Sequence, residues 1–223
     1  MDKDTLKRNY EAVLENIKKY DKDGQVQLLL ATKMQSCEDI NYLVSQGATL
    51  IGENKVNELL DKYEGYDKNA QLHFIGTLQS NKVKYIVDKV SLIHSVDKLS
   101  LLEEISKRCI KIGKTMDVLL EVNSGREENK GGILPEDVCE FYEKAVQIPH
   151  IRVRGLMTMA PRCNSREEYL HYFGLTKELF DRLFAEDKDA ILSMGMSESY
   201  IYAVEAGANL VRVGSKIFGE RKY

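Results

Sequence analysis

The chain has 223 residues, 43% of them hydrophobic, with 32 basic and 35 acidic side chains and a formal net charge of -3. That apolar content can build one sizeable core, which excludes a disordered chain. The mildly acidic balance excludes a general nucleic-acid or anionic-membrane surface.

In chain order, a helical pattern over 6–20 comes first, and then a beat repeats. A short apolar run is followed by a polar or glycine turn and by a helix-length segment. The runs are 27–32, 50–52, 72–75, 92–94, 118–122, 153–157, 191–193 and 210–213. They are rich in Leu, Ile and Val, as strands buried on both faces should be. The helical segments after them are 36–46, 53–63, 79–88, 97–112, 135–146, 165–184, 197–206 and 215–220. Apolar residues at 99, 102, 105, 109 and 112 keep helical spacing, Ser80 is placed to cap the fourth segment, and Pro135 fits a first helical turn. Strands alternating with helices imply a parallel sheet. Eight such units predict an α/β fold, a (β/α)8 TIM barrel with an extra N-terminal helix, as one domain over 1–223. The alternative is a doubly wound open sheet, but the turn after the first strand, Lys33-Met34-Gln35-Ser36, lacks the glycine usual there.

The N-terminus has no apolar core of the signal-peptide kind, and no stretch approaches ~18 apolar residues. Cys37, Cys109, Cys139 and Cys163 form no CxxC pair. They read as free thiols of a reducing, cytoplasmic compartment. No zinc spacing, Walker motif or GxSxG occurs, and Asp21, Asp23 and Gly24 read as a turn rather than a calcium loop.

Barrel active sites lie at the C-terminal ends of the strands. Alternation puts Leu29, Ala31 and Lys33 on one face, so Lys33 enters the mouth from strand one. In low dielectric its amine would be a Schiff-base former; otherwise it snorkels to water. Two glycine-serine turns, 193–197 and Gly214-Ser215, follow strands seven and eight, where barrels often hold phosphate. Ordinary capping is the competing explanation. Arg212 shares a face with Leu210 and either forms a structural ion pair or faces an acceptor. Arginine only donates, so a ring nitrogen opposite it stays unprotonated. Asn54 either orients a ring hydroxyl or caps the next helix. His73 reads as a core histidine, and His94 and Asn123 are weaker candidates.

An aldehyde-reactive lysine, an anion cradle and a donor for a ring nitrogen together describe pyridoxal 5'-phosphate (PLP). The segments LLLATK (28–33), IGENKVNE (51–58), LHFIGTLQSNK (72–82), IHSVD (93–97), LLEVNSGREENKGGI (119–133), RGLMTMAP (154–161), LSMGMSESY (192–200) and VRVGSKIFGER (211–221) resemble the pyridoxal phosphate homeostasis protein family (the YggS or PROSC family) in order along the chain. The barrel of that family resembles the N-terminal domain of alanine racemase. The resemblance implies PLP held as a Schiff base on Lys33, with Arg212 at the pyridine nitrogen. It implies Ser193, Ser197, Gly214 and Ser215 at the phosphate and Asn54 near the ring. Gln35 stands where a second lysine is common, Thr77 replaces a common proline and Ser215 a common threonine. Lys130 matches its family position.

Two functions compete. One is a PLP carrier in vitamin B6 homeostasis, without turnover, whose candidate partners are PLP-dependent apoenzymes. The other is a PLP-dependent amino-acid racemase, which needs acid/base groups on both sides of the substrate carbon. The second such group in alanine racemase comes with a second domain, which the end of this chain leads us not to expect. A chain lacking that dimerizing domain is expected to be a monomer, with no catalytic residues and no metal. A Schiff-base aldolase for sugar phosphates on the same barrel is a third reading. It needs a proton-shuttling acid beside the lysine, and the sequence places none there.

Overall fold

The structure, a computed structural model, describes residues 1–219. Helix α1 (Lys3–Tyr20) precedes β1 (Gln27–Ala31), α2 (Cys37–Ser45), β2 (Leu50–Glu53), α3 (Val56–Lys62), β3 (Gln71–Phe74) and α4 (Val83–Ile86). Then come β4 (Leu92–Val96), α5 (Leu99–Ile112), β5 (Met116–Val122), α6 (Val138–Ala145), β6 (Ile151–Thr158) and α7 (Arg166–Phe184). The last elements are β7 (Ile191–Ser193), α8 (Tyr200–Glu205), β8 (Leu210–Val213) and α9 (Ser215–Phe218). All eight strands are parallel and close into a barrel in sequence order. β1 pairs with β8 with Leu29 opposite Arg212. The open-sheet alternative is thereby set aside.

Alternate strand residues serve two cores. Leu28, Leu30, Ile51, Leu72, Phe74, Ile93, Val118 and Leu120 face the helices and belong to the main core. The opposite residues fill the barrel: Leu29, Leu50, Ile75 and Leu210 form one cluster, Leu92, Leu119 and Met157 another, and Ile191 touches both. α1 packs against α2, α8 and α9, burying Leu6, Tyr10, Val13 and Ile17, the stripe of an amphipathic helix. It starts three residues before the predicted Leu6, because the Asp2 side chain accepts from Thr5 N–H and caps it.

Several details differ from the expected pattern. β2 runs through Glu53, and Lys55 is still extended, so α3 begins only at Val56. The fourth segment is a 3-10 turn over Ser80–Lys82 leading into the short α4, and Ser80 makes no cap bond. Ile112 in α5 is exposed, and Leu101 is buried on that helix. α8 starts at Tyr200 instead of 197, because Gly195 turns the chain with φ +82. Glu220 of the last predicted helix lies outside the described residues. Among the described residues no helix is long and apolar enough to cross a membrane, and no cluster of three or more His, Cys, Asp or Glu could hold a metal.

Candidate functional site

Six of the seven predicted residues, Lys33, Asn54, Ser197, Arg212, Gly214 and Ser215, line one cavity of about 710 Å³ at the strand ends. Ser193 does not. It is fully buried in the barrel, where its hydroxyl meets Arg212 Nη1 at 2.6 Å and His94 Nδ1 at 3.1 Å.

Lys33 follows β1, and the residues on either side of it are held by hydrogen bonds. Thr32 is fully buried, and its hydroxyl lies 2.7 Å from Glu53 Oε1. Met34 adopts a left-handed φ of +63 and donates its N–H to Glu58 Oε1. A non-glycine residue holds that conformation only where its surroundings fix it. Asn54 reaches the cavity from the end of β2. Its Oδ1 is buried without a hydrogen-bond partner. Behind it, a Cβ on Gly76 would overlap Asn54 O, so the glycine allows the loops after β2 and β3 to touch.

The two glycine-serine turns are joined. Gly214 N–H donates to Ser197 Oγ at 3.2 Å, which leaves the Ser197 O–H to donate elsewhere. Gly214 also lies close enough to β1 that a Cβ would come within 3.0 Å of Ala31 O. Ser215 and Lys216 open α9 with the N–H groups that a helix start leaves unpaired. Ser197 precedes α8 by a short loop and is not in its first turn.

Arg212 is buried at 4% exposure and forms no ion pair at contact distance among the described residues. Its Nη1 donates to Ser193 O at 2.9 Å and Nη2 to Thr158 O at 3.1 Å. Burial pushes it down to about 10, partly offset by Glu121, so it remains charged at neutral pH. Glu121, pointing inward on β5, is pushed up to about 7 by burial and by Asp97, against the pull of Arg212. His73 is lowered to about 4 by burial, and His94 well below its ordinary 6.5 by burial, then by His73 and Arg212.

Sequence reasoning missed the cavity rim. The loop after β6 contributes Met159 through Ser165, and Tyr169 of α7 stacks on Tyr202 of α8 at 5.5 Å. Lys130, on the loop after β5, also lines the rim and pairs with Glu127 at 2.6 Å. Tyr169 carried a signal only as part of an apolar helix face. Glu53 and Thr158 end their strands and His94 lies within β4, and all three are buried away from the cavity. Asn123 ties its own loop, donating to Glu127 O at 3.0 Å.

The family model described as alanine racemase, N-terminal domain, matches residues 1–222. A pyridoxal phosphate homeostasis protein of Aquifex aeolicus is 46% identical over 199 residues, 88% of this chain and 87% of that protein. PipY of Synechococcus elongatus, solved with PLP bound, is similar at a TM-score of 0.84 and 26% identity, over 96% of this chain and 100% of that one. An alanine racemase of Clostridium difficile shares the fold at a TM-score of 0.79 and 19% identity, over 99% of this chain and 57% of that one. The chain belongs to the alanine racemase N-terminal-domain family, among the pyridoxal phosphate homeostasis proteins.

Proposed function

We propose that this protein binds pyridoxal 5'-phosphate covalently through Lys33 and serves intracellular PLP homeostasis without catalytic turnover. The observation that carries the reading is Asn54. Its Oδ1 is a buried acceptor without a partner, in the same cavity as a lysine amine and a buried arginine. A buried unpaired acceptor costs about 1–3 kcal/mol, which a bound ring hydroxyl would recover.

The residues fit the cofactor group by group. Bound there, PLP supplies an aldehyde carbon and an electron-withdrawing ring. Lys33 contributes the amine that attaches it. Ser197 O–H, Ser215 and the N–H groups opening α9 suit the phosphate, and Gly214 keeps that corner free of side chain. Arg212 can only donate, so a pyridine nitrogen facing it is an acceptor and carries no proton. An unprotonated ring withdraws electrons weakly, which favours a carrier over a racemase. PLP-dependent apoenzymes are the partners that such a carrier would serve, and four free thiols suit a reducing cytoplasm.

The test is an assay for L-to-D conversion of alanine and serine by the PLP-loaded protein. We expect no conversion above buffer controls. Sustained conversion that disappears in Lys33→Ala would overturn the claim of no turnover.

A further inference from the structure

We infer that Arg212 is aimed by a one-way hydrogen-bond wire, Arg212 to Ser193 to His94 to His73, in which both histidines are neutral and carry their proton on Nε2. Ser193, His94 and His73 are then positioning residues for the guanidinium. Their functional importance rests on the reading above, in which Arg212 faces the cofactor ring.

The direction follows from the donor-only end. Arg212 Nη1 donates to Ser193 Oγ at 2.6 Å, so that oxygen accepts. Ser193 is fully buried, and its hydroxyl proton needs an acceptor. His94 Nδ1 lies 3.1 Å away and is the other partner of Ser193 Oγ. His94 Nδ1 therefore accepts, and a neutral ring must carry its proton on Nε2. That nitrogen lies 3.0 Å from His73 Nδ1, which accepts in turn and leaves the His73 proton on Nε2. Reversing the wire would make Ser193 Oγ accept from both sides and strand its own proton in the barrel, at a cost of about 1–3 kcal/mol. Charging either histidine would place a second cation beside Arg212 where burial disfavours it.

The wire crosses the barrel from β8 through β7 and β4 to β3, tying four strands to one side chain. It also fixes what the guanidinium offers. Nη1 commits both its N–H groups and Nη2 one, to Ser193 and Thr158. Nε–H and the second Nη2–H take part in none of these bonds, and Arg212 lines the cavity. Because the wire is neutral, it orients the cation without discharging it. Glu121 is the carboxyl whose charge acts on Arg212.

The experiment is long-range 1H–15N NMR of histidine-labelled protein without added cofactor, at neutral pH. The chain has four histidines, and His150→Asn and His171→Gln variants assign the other two. We expect a pyrrole-type Nε2 and a pyridine-type Nδ1 on both His73 and His94. An Nδ1–H on His94, or a charged ring on either, overturns the wire. In PLP titrations, Ser193→Ala should weaken binding about tenfold and loosen the His94 tautomer preference, and Ser193→Thr should restore both. Unchanged affinity and tautomer in Ser193→Ala contradict the positioning role. A wild-type chain that takes up no PLP would sink the cofactor reading alone, because the tautomers still judge the wire.

Discussion

Lys62 Nζ lies 3.0 Å from Glu53 Oε1, and both partners of this ion pair bind Thr32, the residue before Lys33, although neither lines the cavity. Lys62 also donates to Thr32 O at 3.0 Å and to Glu58 Oε1 at 2.6 Å. Tyr66 O–H donates to Glu53 Oε1 at 2.7 Å, and burial with that carboxylate pushes the phenol far up. Glu53 is fully buried. Lys62→Met would strand its charge, and breaking one side of a buried pair costs about 3–5 kcal/mol. The urea midpoint should fall accordingly, and reductive labelling of Lys33 by PLP should slow. An unchanged midpoint would show that the pair does not hold the end of β1.

Gly76→Ala tests the contact that places Asn54. The added methyl would meet the Asn54 backbone, which cannot rotate away as a side chain can. Overpacking of this kind costs about 1–3 kcal/mol. We expect lower thermal stability together with weaker PLP binding. Gly174→Ala is the control, because a Cβ there meets nothing within 4 Å.

Acid should destabilise the protein through the barrel histidines. His73 is held at about 4 instead of 6.5 by burial, partly opposed by Asp117. The unfolded chain therefore binds a proton in that interval which the folded chain refuses. The His73 contribution is full above pH 6.5, is lost as pH falls, and is exhausted near pH 4. Its size is on the order of 3 kcal/mol. His94 acts in the same direction. Urea unfolding across this range should show a shallower acid limb in His73→Gln than in the wild type.

Glu121 acts with the opposite sign. Its carboxyl is raised from 4.5 to about 7, so its contribution is full below pH 4.5 and is lost as pH rises through about 7. Glu121→Gln carries no such loss. Relative to wild type, the variant should gain on the order of 3 kcal/mol between acid and alkaline pH. A constant stability difference between the two proteins across that range would contradict the raised value.

The barrel was legible because strands buried on both faces leave continuous Leu, Ile and Val runs. The placement of Lys33 and Arg212 followed from strand alternation against Leu29 and Leu210. Ser193 was not separable from Ser197 by sequence, because both lie in one LSMGMS segment. The left-handed turn at Gly195 sends Ser193 into the barrel and Ser197 to the cavity. The Glu53–Lys62 pair spans a strand end, a loop and a helix, so no periodic spacing announces it. The wire joins β3, β4, β7 and β8 and exists only once the barrel closes. The two tyrosines at the rim were hidden because stacking and core packing use the same helical face.

The most direct measurement is borohydride reduction of the purified protein with PLP, followed by peptide mass mapping. A stable phosphopyridoxyl group on Lys33, absent in Lys33→Ala and not moved to Lys130 or Lys216, is the predicted result. A folded protein that carries no adduct on Lys33 would contradict the account.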